Sequence, residues 1–206
     1  MTREKKILLF SFVFLVSLAL AVFIFLEKAS EAKAHGEDFV SPTLILRIAL
    51  TVGLVDPNSA EDGRLPLIAS LDTVASHHPY EFAEILLNHG ANVNQSDNRG
   101  WTPLMQATAF GFPDGVDLLI RHRAYINQEN DEGKTAIFYF YNNLHQIPVL
   151  YGSRQDYYKT LHLLLAAGAD ACHKDKSGNT PADLLTSDAT AKEMLILACR
   201  SQQRSH

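Results

Sequence analysis

Apolar side chains fall along this chain in two patterns. From Ile7 to Leu26 they run without a single charge, interrupted only by Ser11 and Ser17. Beyond residue 42 they return as short runs at helical spacing, each ending at a fixed mark. The runs read LILRIALTVG (44–53), EFAEILLNHG (81–90), GVDLLIRHR (115–123) and TLHLLLAAG (160–168). Phe82, Ile85 and Leu86 fall at i, i+3, i+4, which places them on one face of a helix. Six residues before each mark stands a polar residue: Arg47, Glu84, Asp117 and His162. Gly53, Gly90 and Gly168 then supply the left-handed backbone that stops a helix. Arg123 takes that place in the third run, at a cost of about 1 kcal/mol if the backbone stays left-handed.

Ten residues after each mark comes a second glycine: Gly63, Gly100, Gly133 and Gly178. The segments they open are GRLPLIAS, GWTPLMQA, GKTAIFYF and GNTPADLL. Thr102 and Thr180 can cap a first turn through the hydroxyl. Pro103 and Pro181 then fall at N1, where a missing N–H costs nothing. Thr135 keeps the cap without the proline, and Pro66 keeps the proline without the hydroxyl. The spacing therefore predicts a helix start after every second glycine. The unit is helix, turn, helix, loop, and neither helix buries its face alone, so units must stack.

The stretches DNRGWTPLMQATAFGFPDGVDLLIRHRAYIN (97–127), LLLAAGADACHKDKSGNTPADLL (163–185) and ILLNHGANVNQSDNRG (85–100) carry T-P-L, a leucine triplet, G-A-[DN] and D-x-x-G. In these the chain resembles the ankyrin repeat, from about residue 42 to its end. That family has a period of about 33 residues. Gly100 to Gly133 is 33, Gly63 to Gly100 is 37 and Gly133 to Gly178 is 45, so insertions of four and twelve are assigned between paired helices. No unit has the family's histidine after T-P-L; Ile68, Met105, Phe138 and Asp183 stand there. Phe140 and Tyr141 replace two small alanines in the third unit, which puts its helix register in doubt.

The resemblance implies an all-α ankyrin-repeat solenoid of stacked helix-turn-helix modules. Its divisions are an N-terminal capping half-repeat over 42–60, repeats over 61–97, 98–130 and 131–175, and a C-terminal capping repeat over 176–206. A transmembrane helix is expected ahead of it. About 20 apolar residues at about 1.5 Å rise span a bilayer core, which suits 7–26. Arg3, Lys5 and Lys6 keep residues 1–6 cytoplasmic, and 27–41 reads as a tether. The alternative is secretion after signal cleavage near Ala34, in the A-x-A site AKA. Either way the repeats lie outside the cytoplasm, periplasmic or extracellular.

Charge narrows the partners. Outside 1–26 there are 15 Lys and Arg, the chain's 18 less Arg3, Lys5 and Lys6, against 22 Asp and Glu, its 23 less Glu4. An acidic balance of −7 lacks the basic footprint that nucleic-acid binding needs. An oxidising compartment permits a disulfide between Cys172 and Cys199. The reading adopted from sequence is instead two unpaired, partly buried thiols, since spacing alone does not bring two Cα atoms together.

Nine histidines invite a metal reading, but no H-x-x-x-H or C-x-x-C occurs, so zinc spacing is not met. G-x-S-x-G and the phosphate-loop pattern are absent too. No enzyme, cofactor or metal site is expected. A function in protein recognition is: an adaptor or scaffold, with an inhibitor or immunity-type protein that neutralises an enzyme as the alternative. The resemblance puts Trp101, the one tryptophan, near the loop tips on the concave side. Arg99, Met105 and Lys134 complete the candidate contact patch, against the alternative of a Trp packed across its neighbouring loop. The aromatic segment 138–160 adds Tyr139, Tyr151 and Tyr157, either as contact anchors or as rings that fill a widened repeat.

Overall fold

The computed structural model describes residues 42–60, 65–71, 79–140, 154–185 and 188–204. The chain divides into two compact units, 1–45 and 46–206, and the second holds the repeats. Its helices are α1 (Pro42–Thr51, which begins in the first unit), α2 (Pro66–Ser70), α3 (Pro79–Asn88), α4 (Pro103–Ala109), α5 (Pro113–Arg121), α6 (Arg154–Ala166) and α7 (Ala189–Arg204). A 3₁₀ turn, Ala136–Phe138, stands between α5 and α6. Among the described residues there is no strand.

Two layers form. α2, α4 and the 3₁₀ turn make the inner one, and α3, α5 and α6 the outer one, each inner element packed beside the next. The leucine runs explain the order. Val116, Leu118 and Leu119 of α5 are buried, as are Ile85, Leu86 and Leu87 of α3 and Leu161 and Leu164 of α6. Each such side chain contributes about 1.5–3 kcal/mol by leaving water. Asp117 faces outward and pairs with Arg121 one turn on, at 3.0 Å.

The marks between helices behave as the spacing predicts. Gly53, Gly90 and Gly168 have φ of 72°, 88° and 90°, and Arg123 is left-handed too at 66°. The N–H after each mark donates to the carbonyl five residues back: Leu54 to Ala49, Ala91 to Leu86, Ala124 to Leu119 and Ala169 to Leu164. Those bonds satisfy helix-end carbonyls that would otherwise lack a partner.

The loop between modules is fastened by an Asp or Asn at one position. Oδ1 of Asp97 accepts from the N–H groups of Arg99 and Trp101. Asn130 does the same for Glu132 and Lys134, and Asp175 for Ser177 and Asn179. Neighbouring tips then pair: Asp131 N–H donates to the Arg99 carbonyl and Lys176 N–H to that of Glu132, both at 3.0 Å. Gly100 has to be glycine, because a Cβ there would lie 2.8 Å from the Asn130 Cα.

A second row of amides joins one module to the next. Asn58 donates to the Gly90 carbonyl and accepts from Asn92 N–H. Asn94 likewise bridges Arg123 and Tyr125, and Asn127 bridges Gly168 and Asp170. In the last module this position is Cys172. The expectation of two free thiols is overturned here: Cys172 and Cys199 form a disulfide, with Cα atoms 4.9 Å apart. The physical reason is topological. The residue that reaches toward the following module finds α7 there instead, and Cys199 stands opposite it. Gln202, three residues on, donates to the Ala169 carbonyl and accepts from Ala171 N–H.

The helix starts are less uniform than the glycines suggest. At α4 the device works as read: Thr102 Oγ1 accepts from Met105 N–H with Pro103 in the first turn. α2 begins at Pro66 without a side-chain cap. From Gly133 to Phe140 the one helical element is the three-residue 3₁₀ turn, and the Thr135 hydroxyl is buried without a partner. Tyr139 and Phe140 follow, both buried. Between Gly178 and Leu185 no helix forms. Thr180 donates its hydroxyl to Asp183 at 2.6 Å, so that hydroxyl does not cap the backbone and the turn closes on short-range bonds. The terminal helix is launched later by Asp188, which accepts from Ala191 N–H.

A candidate recognition cleft across three modules

The loop tips and the inner layer enclose a cleft of about 840 Å³. Its floor is apolar: Leu65, Ile68 and Ala69 from the α2 module and Phe110 beyond the end of α4. One wall is Trp101 and Tyr139, and the mouth carries Asp97, Arg99, Asp131, Glu132 and Lys134. Residues of three successive modules therefore shape one cavity.

The aromatic wall is held from behind. Trp101 Nε1 donates to Gln106 Oε1 at 2.6 Å, a bond that α4 sets by placing Gln106 one turn into the helix. The Trp101 and Tyr139 rings meet edge to face with centroids 4.4 Å apart, a favourable aromatic geometry. The Tyr139 hydroxyl accepts from Asn130 Nδ2 at 2.7 Å, and Asn130 is the residue that ties the third loop tip. Burial pushes the Tyr139 phenol up to about 12, helped by the Glu132 charge and opposed by the Asn130 hydrogen bond and Arg99. It stays neutral at any physiological pH.

The cations at the mouth are matched locally. Lys134 Nζ lies 2.6 Å from Glu132, and Arg99 Nε 3.8 Å from Asp97. Arg99 is 80% exposed, so its pair is worth little in water. Among the described residues the Asp131 carboxylate has no partner.

Of the residues proposed from sequence, Arg99, Trp101, Lys134 and Tyr139 converge on this cleft. Met105 does not. It is 0% exposed, because its place three residues after the Thr102 cap turns it into the core between helices. Tyr157, as buried as Tyr139, does not line the cleft: it lies on α6 with its ring against Gly111, where any Cβ would come within 2.8 Å of it. Both leave the contact patch for packing roles. Tyr151 lies outside the described residues, as does 7–26. Among the described residues no helix is long and apolar enough to cross a membrane.

Sequence reasoning missed the floor. Leu65 and Ile68 belong to a different module from Trp101, and only the stacking brings them together. Gln106 had a legible signal, one helical turn beyond an unpartnered indole N–H. Two of the histidines have local duties: His89 bonds the Ile85 carbonyl and His173 that of Gly133.

A family model for ankyrin repeats in three copies matches residues 42–130 and 71–175, together more than half of the chain. Protein phosphatase 1 regulatory subunit 27 of Homo sapiens is 35% identical over 66 residues, covering 32% of this chain and 43% of that protein. Ankyrin repeat domain-containing protein 63 of Mus musculus is 30% identical over 115 residues, 56% of this chain and 28% of that protein. The chain thus spans less than half the length of each of these relatives.

Proposed function

Since the chain belongs to the ankyrin repeat family, a family of protein-binding modules, we propose that it is an adaptor whose partner protein seats in the Trp101 cleft. The observation that carries this is the cleft itself: an apolar floor, two fixed rings and a charged mouth assembled from three modules. No reaction is involved. Recognition rests on shape and on aromatic anchors, which dominate many interfaces.

The adaptor is held outside the cytoplasm by residues 7–26. Two observations support that reading: the uncharged run follows a basic N-terminus, and Cys172 is bonded to Cys199, as suits an oxidising compartment. An anchor raises the local concentration of the module for a membrane-associated partner. Intact-mass measurement of the mature protein separates anchor from secreted form. A mass starting near His35 would replace the anchored version with a secreted one.

A second reading makes the partner an enzyme kept in check. The similarity to a phosphatase regulatory subunit favours it, and it predicts that the added chain lowers that enzyme's turnover. For either reading the test is a photoreactive residue at position 134, on the cleft mouth, with one at position 84 on the outer layer as control. A discrete adduct from 134 that disappears on Trp101→Ala is expected. Adducts from 84 and none from 134 would overturn the assignment of the cleft.

A further inference from the structure

We infer that the cleft takes a segment pairing an apolar side chain with a basic one, an arginine or lysine set beside a leucine-like residue. This rests on the cleft being the partner site.

The argument is an inventory of what the cleft still offers. Trp101 has spent its only donor on Gln106, so the indole presents ring surface alone. Tyr139 is neutral, and its oxygen accepts from Asn130 while its own O–H is left to donate. The electron-rich faces of such rings attract cations. Among the described residues at the mouth, Arg99 and Lys134 each have a carboxylate two residues away, so neither cation is free to draw an acidic ligand. The Asp131 tip is the unmatched charge, and it is negative. An incoming carboxylate would meet Asp131 and Glu132 and would have to displace an existing ion pair. A guanidinium or ammonium group meets an acceptor and a ring face, while Leu65 and Ile68 take the neighbouring apolar side chain. The acidic balance of the chain beyond residue 26 adds long-range attraction of the same sign.

The test is selection of short random peptides displayed on phage against the full chain, with a parallel selection against Trp101→Ala. Peptides that need Trp101 are expected to carry Arg or Lys next to an apolar residue. They should bind about tenfold more weakly to Trp101→Ala. They should bind about threefold more weakly to Asp131→Asn, a change at an exposed tip, and lose affinity in high salt. Trp101-dependent peptides that are acidic or uncharged, and indifferent to Asp131→Asn, would overturn the inference while leaving the cleft as the partner site. Recovery of no Trp101-dependent peptide would overturn both.

Discussion

At Asn94 and Asn127 neighbouring modules are joined by one side-chain amide that donates to a carbonyl and accepts from an N–H. At Cys172 the same position of the repeat is joined to α7 by a covalent bond. The difference follows from what comes next. Asn94 and Asn127 each face another module, whose left-handed helix end and following N–H present one acceptor and one donor at fixed places. Cys172 faces a lone helix with no such end. Gln202 supplies the missing amide from the α7 side, to Ala169 and Ala171, and the disulfide adds a tether. The joint to α7 is thus made by an amide from the opposite side and a covalent bond.

Mutations can separate the two kinds of joint. The largest effect is expected from Leu164→Asp. Leu164 is 0% exposed between α6 and its neighbours, and an unpaired buried charge costs several kcal/mol. Loss of helical circular dichroism from the C-terminal half is the predicted result, and an unchanged melting curve would refute the assigned stacking. Next comes Cys199→Ser. The bond closes a loop of 27 residues, so the chain-entropy relation gives about 3.5 kcal/mol. Hydrogen exchange should accelerate in α7 while α4 and α5 keep their protection. Uniform loss across all modules would mean the joints are not independent.

Asn127→Ala removes two hydrogen bonds at a partly solvated joint and should cost about 1–2 kcal/mol, read as a lower urea midpoint. A loss as large as that from Cys199→Ser would erase the contrast between amide and covalent joints. The smallest effect concerns pH at the α7 cap. Burial raises the Asp188 carboxyl, but the hydrogen bonds from Ala191 N–H and the Tyr158 hydroxyl outweigh it and hold it below its usual value. Its stabilisation is therefore present above about pH 4 and lost as pH falls through the lowered value. Tyr158 is raised by burial and by its bond to Asp188, so its contribution is present below about pH 10 and lost on further alkalinisation. Exchange from the first turn of α7 should thus be most protected between those limits, and a maximum outside them would exclude the Tyr158–Asp188 pair as the cap.

Much of this fold is legible in the residues. The ten-residue interval, the left-handed marks and the buried leucines are local properties, and Arg123 shows the interval holding even where glycine is absent. What was not legible needed competition or distance to decide. Thr180 looks like a cap by spacing, yet a carboxylate three residues on takes its hydroxyl. Met105 turns inward from its place after the Thr102 cap, and its full burial comes from the neighbouring helices that close over it. Cys172 and Cys199 become neighbours only once α7 docks. The cleft was half legible: Arg99, Trp101 and Lys134 follow from position in the repeat and Tyr139 from the aromatic segment, whereas Leu65 and Ile68 arrive from another module.

The central claim is that a partner grips a surface existing only where modules lie side by side. The most direct measurement is amide exchange of the full chain, alone and with the protein captured from position 134. Slowed exchange confined to 97–101 and 130–134, the two tips at the cleft mouth, is the predicted result. Slowing on α3 and α5 with both tips unchanged would contradict it.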